Sequence, residues 1–245
     1  MLGALPTLLT EPRPAPLALV AREAPREAAA DWFLLRTAAL LVTLPVFVQA
    51  PLVHAQPLLA ALLTAPLLTA GIVLGLSEQP RRARLGALLV GFAGSWLCGS
   101  LFWGWCRLHP LWHLPMEALA LPLALGGLRS RWRWAGAFYL ASLLGTAATD
   151  AAMALTGVMP LWPLVLGAPP EAAMQLLQAA ASQVLTPLNL GLIAAFAAGL
   201  GALGTWLWQR QSLGRVAAIT VLTTLGVDGI FLLLALGAPS WSGLI

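Results

Sequence analysis

The stretch Trp103-Gly-Trp-Cys-Arg-Leu-His-Pro-Leu-Trp-His-Leu-Pro-Met-Glu117 decides how the chain is threaded. It carries His109 and His113, the acid Glu117, and Arg107, which stands apart from the arginine-rich loops. Apolar runs flank it on both sides. They read as helices that cross a membrane, with the stretch as an outward-facing corner between two of them.

Composition supports that reading. Hydrophobic residues make up 60% of the chain and charged residues 9%, where a soluble domain carries about a quarter charged. Several apolar runs reach about 20 residues, enough to cross a hydrocarbon core about 30 Å thick. Backbone groups in lipid must pair internally, which leaves helices or a closed barrel. Continuous runs rather than alternation select helices. The expected fold class is therefore all-α, a polytopic transmembrane helical bundle.

The chain has no lysine, so its net charge of +4 rests on arginine. A basic balance can signal nucleic acid. Here the arginines sit in short loops between apolar runs, the signature of loops retained on the cytoplasmic side. The expected partner is the lipid bilayer, with no nucleic acid. Residues 1–31 mix prolines, arginines and acids and lack the uninterrupted apolar core of a secretory signal. They read as a cytoplasmic tail, with an interfacial helix over 21–33 ending on the headgroup-suited Trp32. Residues 32–245 form one transmembrane domain.

Spans are expected at 34–50, with Pro45 as a kink, and at 57–76, 85–105, 111–128, 135–155, 188–208 and 216–237. Small residues mark packing faces: Gly71 and Gly75; Gly91, Ser95 and Gly99; Gly191, Ala195 and Gly199. The proline-broken segment 156–188 reads as a re-entrant or surface-lying cap. The span at 111–128 is the shortest, roughly 27 Å at 1.5 Å per residue, and it contains Pro115 and Pro122. Charge requires it nonetheless. The loop from Arg129 to Arg133 is cytoplasmic, so a crossing must separate it from Arg107. Seven spans follow, with the N-terminus cytoplasmic, the C-terminus outside, and every arginine but Arg107 on the inner side.

Acids at membrane depth are costly and face a bundle interior or a cavity. Ser142, Thr146 and Asp150 repeat every four residues on one span, and Thr220, Thr224 and Asp228 do so on another, so each set forms a stripe down one helix face. Counted from the inner end at 1.5 Å per residue, Asp150 lies roughly 22 Å up, Asp228 roughly 18 Å and Glu117 roughly 16 Å. Taken singly, each group has a structural explanation. His109 caps a helix opening at Pro110, His113 and Glu117 satisfy one another at i,i+4, and each aspartate sits as a hydrogen-bonded core group. Taken together, they predict a polar pocket that opens outward.

Other chemistries are less well supported. His109, His113 and Glu117 have spacing open to zinc, but Pro110 and Pro115 interrupt the helix and no third histidine is near. Cys106, Arg107 and His109 suggest a transpeptidase, yet three groups within one turn rarely converge on one bond. Trp103, Trp105 and Trp112 around His113 suggest pigment or haem ligation, but read first as an interfacial belt. Cys98 reads as a small core residue, with a bridge to Cys106 left open.

The runs Gly94-Ser-Trp, Phe102-Trp-Gly-Trp and His109-Pro-Leu-Trp-His-Leu-Pro-Met-Glu117-Ala-Leu-Ala-Leu-Pro-Leu-Ala, with Phe138-Tyr-Leu-Ala-Ser-Leu-Leu-Gly-Thr, Asp150 and Thr156-Gly-Val-Met-Pro-Leu-Trp-Pro163, resemble an uncharacterised cyanobacterial family of polytopic integral membrane proteins. The resemblance spans residues 30–240 and implies a plasma or thylakoid membrane. It brings no activity and no cofactor. The residues themselves point to small-molecule or ion transport, or to membrane-embedded substrate binding. Glu117, Asp150, Asp228, Ser142, Thr146, Thr220 and Thr224 would hold the unidentified ligand, and Arg107, His109 and His113 would form an outer gate. The alternative is an assembly or accessory factor of a photosynthetic membrane complex, with pigment or partner membrane subunits bound. A membrane enzyme is the weakest of the three readings.

Overall fold

The computed structural model describes residues 32–241, and every regular element in that range is helical. The tail over 1–31, with most of its expected interfacial helix, lies outside the described residues, as do 242–245; Trp32 and Phe33 open the first helix. In chain order the helices are α1 (Trp32–Ala55) and α2 (Pro57–Gly75); α3 (Pro80–Leu101), α4 (His113–Glu117), α5 (Leu121–Gly127), α6 (Arg133–Leu155), α7 (Trp162–Gly167), α8 (Pro170–Val184), α9 (Pro187–Trp208) and α10 (Ser212–Gly237). Six of them, α1, α2, α3, α6, α9 and α10, are long and apolar enough to cross a membrane.

The expected continuous span over 111–128 is corrected. A 3₁₀ turn at Pro110–Trp112 leads into α4, a non-helical link follows, and α5 closes the segment. Its longest piece has 7 residues, too short to cross alone. Proline is the cause: without an N–H and with a ring that clashes with the preceding turn, Pro110, Pro115 and Pro122 each interrupt the helical ladder. Proline acts differently in α1, where Pro45 opens a wide π turn, Pro45–Gln49, and the Ala50 N–H reaches back to the Pro45 carbonyl. The expected kink is thus a local widening of the helix. A second π turn, Phe102–Cys106, extends α3 into the corner.

The small-residue faces behave unequally. A methyl on Gly86 would lie 2.1 Å from the Gly75 nitrogen and 2.6 Å from the Gly71 oxygen, so α2 and α3 touch backbone to backbone at the predicted Gly71/Gly75 pair. A methyl on Gly91 would lie 2.6 Å from the Ala135 oxygen, which brings α3 equally close to α6. On α9, by contrast, Gly191 and Gly199 meet no described residue within 4 Å and Ala195 is exposed, so among the described residues nothing packs on the stripe expected there.

Two apolar clusters bracket the bundle. One joins Leu34, Ala38 and Leu41 of α1, Leu88, Phe92 and Trp96 of α3, Trp134 and Phe138 of α6, and Val216 of α10. It lies towards the arginine-bearing starts of α3, α6 and α10. The other packs Val165 of α7 and Leu177 and Ala181 of α8 on Ala235 near the far end of α10. The turn into this cap is fixed at Gly157, which has φ 72°. Its N–H bonds the Ala154 carbonyl at 3.2 Å and the Val158 N–H bonds that of Met153 at 3.0 Å, the paired bonds of a Schellman C-cap.

Gly91→Val should destabilise the bundle by about 1–3 kcal/mol, as overpacking does, while Gly191→Val should change stability by less than about 0.5 kcal/mol. Thermal unfolding midpoints of the two variants in the same detergent check this contrast.

Candidate functional site

The corner is held by the single tyrosine of the chain. In the link after α4 the Leu119 N–H turns to the Met116 carbonyl at 3.2 Å and the Leu121 N–H to the Ala118 carbonyl at 2.9 Å. These three-residue steps leave the Glu117 carbonyl and the Ala120 N–H without their helical partners. The Tyr139 hydroxyl of α6 fills both gaps, donating to the Glu117 carbonyl and accepting from the Ala120 N–H at 3.2 Å. The end of α4 is thereby docked on α6, and Glu117 is carried to the interior.

A cavity of about 310 Å³ lies there, between the two apolar clusters. Gln49 and its π turn line it from α1, Ser95, Gly99 and Trp103 from the α3 side, and His113 and Glu117 from α4. Ser142, Thr146, Thr149 and Asp150 line it from α6, and Thr224 and Asp228 from α10. Trp162, Val165, Leu177 and Ala180 close it from the cap segment. All three expected acids therefore meet at one cavity, together with His113, Ser142, Thr146 and Thr224.

The remaining expected site residues stand elsewhere. The Thr220 hydroxyl is fully buried and donates to the Val216 carbonyl of its own helix at 2.8 Å. Arg107 turns to His54, with Nη1 2.9 Å from Nδ1. His109 is exposed and its N–H bonds the Cys106 carbonyl. Neither Arg107 nor His109 lines the cavity, so of the expected gate only His113 reaches it. His109, His113 and Glu117 do not assemble as a ligand set: among the described residues no three His, Cys, Asp or Glu gather closely enough to hold a metal ion. Cys98 and Cys106 are both free, which closes the question of a bridge.

Within the cavity, His113 Nδ1 lies 2.8 Å from Asp150 Oδ1. Thr149 donates to Asp228 Oδ2 at 2.6 Å, and its oxygen also lies 3.1 Å from the Gly145 carbonyl. The two aspartates are thus each held by a neighbouring element: Asp150 of α6 by α4, Asp228 of α10 by α6. The i,i+4 pairing expected between His113 and Glu117 gives way to the tertiary bond with Asp150. Aromatic rings stand beside these acids. Trp103 and Trp162 lie 5.2 Å apart at 32°, and His113 stacks 4.4 Å from Phe102. Trp162 Nε1 donates to the Arg107 carbonyl at 2.7 Å, tying the cap to the corner.

Three contributors escape a reading by stripes. Thr149 lies one position off the four-residue repeat. Trp162 sits in Met159-Pro-Leu-Trp-Pro163, where the prolines signal a turn and not a direction. Gln49 is buried, and its amide donates to the Trp96 carbonyl at 2.5 Å and to Ser100 Oγ at 2.8 Å. An amide flanked by Pro45 and Pro51 in an apolar run was its only sequence signal.

The family described as Protein of unknown function (DUF3120) matches residues 38–236. No curated protein and no solved structure matches the chain.

Replacing the bridging hydroxyl, Tyr139→Phe, should leave the Glu117 carbonyl and the Ala120 N–H unpaired and lower stability by about 1–3 kcal/mol. A lowered unfolding midpoint, with faster backbone hydrogen exchange confined to 117–121, checks it.

Proposed function

The chain belongs to the DUF3120 family, and we propose that it is an integral membrane protein that binds a small polar solute or ion in the cavity and carries it across the bilayer. One observation carries the reading: acids from three separate elements, Glu117, Asp150 and Asp228, converge on one cavity. Each is expensive at membrane depth, and such groups mark solute or ion pathways. The arginine-rich starts of α3, α6 and α10 face the cytoplasm by the positive-inside rule. The cavity lies towards the other ends of those helices and opens to the non-cytosolic side. In this arrangement α4 and α5 cross together as one discontinuous pass, making seven, with the N-terminus cytoplasmic and the C-terminus outside. Broken helices at a cavity are characteristic of transporter binding sites, and irregular backbone is tolerated there because protein or water can satisfy it. The segment 156–188 is the outer cap, and the Arg107–His54 contact with His109 forms the rim of the corner.

A second reading draws on α9. Its exposed face at Gly191, Ala195 and Gly199 suits close approach by another membrane helix. An accessory subunit of a larger complex would use that face but leaves the three acids without a role.

Single-cysteine labelling separates the two. With Cys98 and Cys106 replaced, Ser142→Cys should react with a membrane-impermeant methanethiosulfonate in both right-side-out and inverted vesicles, because a carrier exposes its site to each side in turn. Labelling from the non-cytosolic face alone would reduce the protein to a binding subunit. Labelling from neither would remove the hydrated cavity.

A further inference from the structure

The cavity lining also selects among solutes. It presents three carboxylates, Glu117, Asp150 and Asp228, against one titratable base, His113, which Asp150 already holds. Among the described residues no arginine lines it, and the chain has no lysine. Even with His113 protonated the acids are in excess, so an anion would meet repulsion without a fixed positive partner. The Glu117 side chain makes no hydrogen bond to another described residue, and Asp228 has only the Thr149 hydroxyl.

A divalent metal ion fits poorly. Such an ion exchanges its water shell for a compact set of oxygen ligands, six to eight for calcium. The acids here are spread out, and among the described residues no three His, Cys, Asp or Glu come together around a common point. Much of the remaining wall is alkyl or aromatic, including Val46, Met153, Leu177 and Val227. Trp103 and Trp162 contribute a paired ring surface. Because Trp162 Nε1 is committed to the Arg107 carbonyl, that ring offers its π system and not a donor. Tryptophan faces attract cations whose charge is spread over alkyl groups, more strongly where water is excluded.

We infer that the solute is a small organic cation, a quaternary ammonium or protonated alkylamine, held by the spread carboxylates and the Trp103–Trp162 wall of the cavity. This rests on the cavity reading above. The volume of about 310 Å³ is at the small end of ligand pockets, which run about 300–1,000 Å³, so the cation is compact.

The test uses the purified full chain in detergent, with calorimetric titration and thermal shift, and three matched probes: choline, its uncharged carbon isostere 3,3-dimethylbutan-1-ol, and the anion 3,3-dimethylbutanoate. Sodium chloride at equal ionic strength is the reference. Choline should bind and raise the unfolding midpoint, and the other two should not. Asp228→Asn and Trp103→Leu should each weaken choline by about tenfold or more, and Trp103→Phe should retain most of the affinity. Because Trp103→Phe keeps the ring, it separates ring chemistry from a packing defect, and unliganded midpoints identify any variant that has not folded. Equal binding of the isostere, or a sodium response matching that of choline, would overturn the organic-cation assignment. If no probe binds while Ser142→Cys is still labelled, the assignment fails and the hydrated cavity stands. If both binding and labelling are absent, the cavity reading fails with it.

Discussion

A chain in lipid cannot leave backbone groups unpaired, and between Glu117 and Ala120 the ladder of this one breaks. The Tyr139 hydroxyl satisfies both sides of the break. Its position follows from α6, which approaches the broken segment closely: a methyl on Gly136 would stand 2.4 Å from the Ala124 carbonyl of α5. Small residues let α6 come near, and the tyrosine one turn further on spans the gap that proline opened. The same side chain meets Cys98 of α3, with Sγ 3.9 Å from the hydroxyl. Three elements therefore meet at one oxygen atom, and the acid that α4 delivers to the cavity depends on that meeting.

The cavity persists because the elements around it cannot collapse onto one another. At the arginine end, α1, α3, α6 and α10 interlock through Leu34, Leu88, Phe92, Phe138 and Val216. At the other end polar bonds anchor the cap besides its apolar contact with α10: Trp162 bonds the Arg107 carbonyl, Gln178 donates to the Leu236 carbonyl, and Gln183 and Asn189 both donate to the Thr156 carbonyl. Between them α1 widens at Pro45–Gln49, and Gln49 is buried only because the Trp96 carbonyl and Ser100 accept from it. A buried amide needs those partners, so it fixes the register of α1 on α3 at the level of the cavity. A π turn interrupts α1 here and another extends α3, and such turns recur at functional sites.

The long helices were legible in the sequence because length and apolarity are properties of a run. α3, α6, α9 and α10 fall within a few residues of the expected spans. The acids were legible because charge at membrane depth has few destinations, and on α6 the stripe of Ser142, Thr146 and Asp150 faces the cavity. On α10, Thr220 does not line the cavity: it lies one turn nearer the arginine end, fully buried, with its hydroxyl on the Val216 carbonyl. Arg107 and His109 do not line the cavity, and closeness in sequence says nothing about which way a corner turns. His54, the partner of Arg107, is 53 positions away. The partners that hold the aspartates were not legible either, since His113–Asp150 and Thr149–Asp228 are tertiary bonds between helices whose rotation no single-helix pattern fixes.

Those two bonds make α6 the common partner of the elements around the cavity. It receives α4 through His113–Asp150, α10 through Thr149–Asp228, and α3 through the close approach at Gly91. A methyl on Gly145 would stand 2.6 Å from Thr224, so α6 and α10 are in tight contact at the cavity floor as well. If the protein carries a solute in the way proposed, α6 is the post around which other elements move, since its own displacement would break four contacts together. The elements that line the cavity with fewer ties to α6 are the widened stretch of α1, held instead by α3, and the α7–α8 cap, held by α10 and the corner. A cation drawn to Asp228 would compete directly with the Thr149 hydroxyl for the same carboxylate. Occupancy of the site and the grip of α6 on α10 would then be coupled through one pair of oxygen atoms.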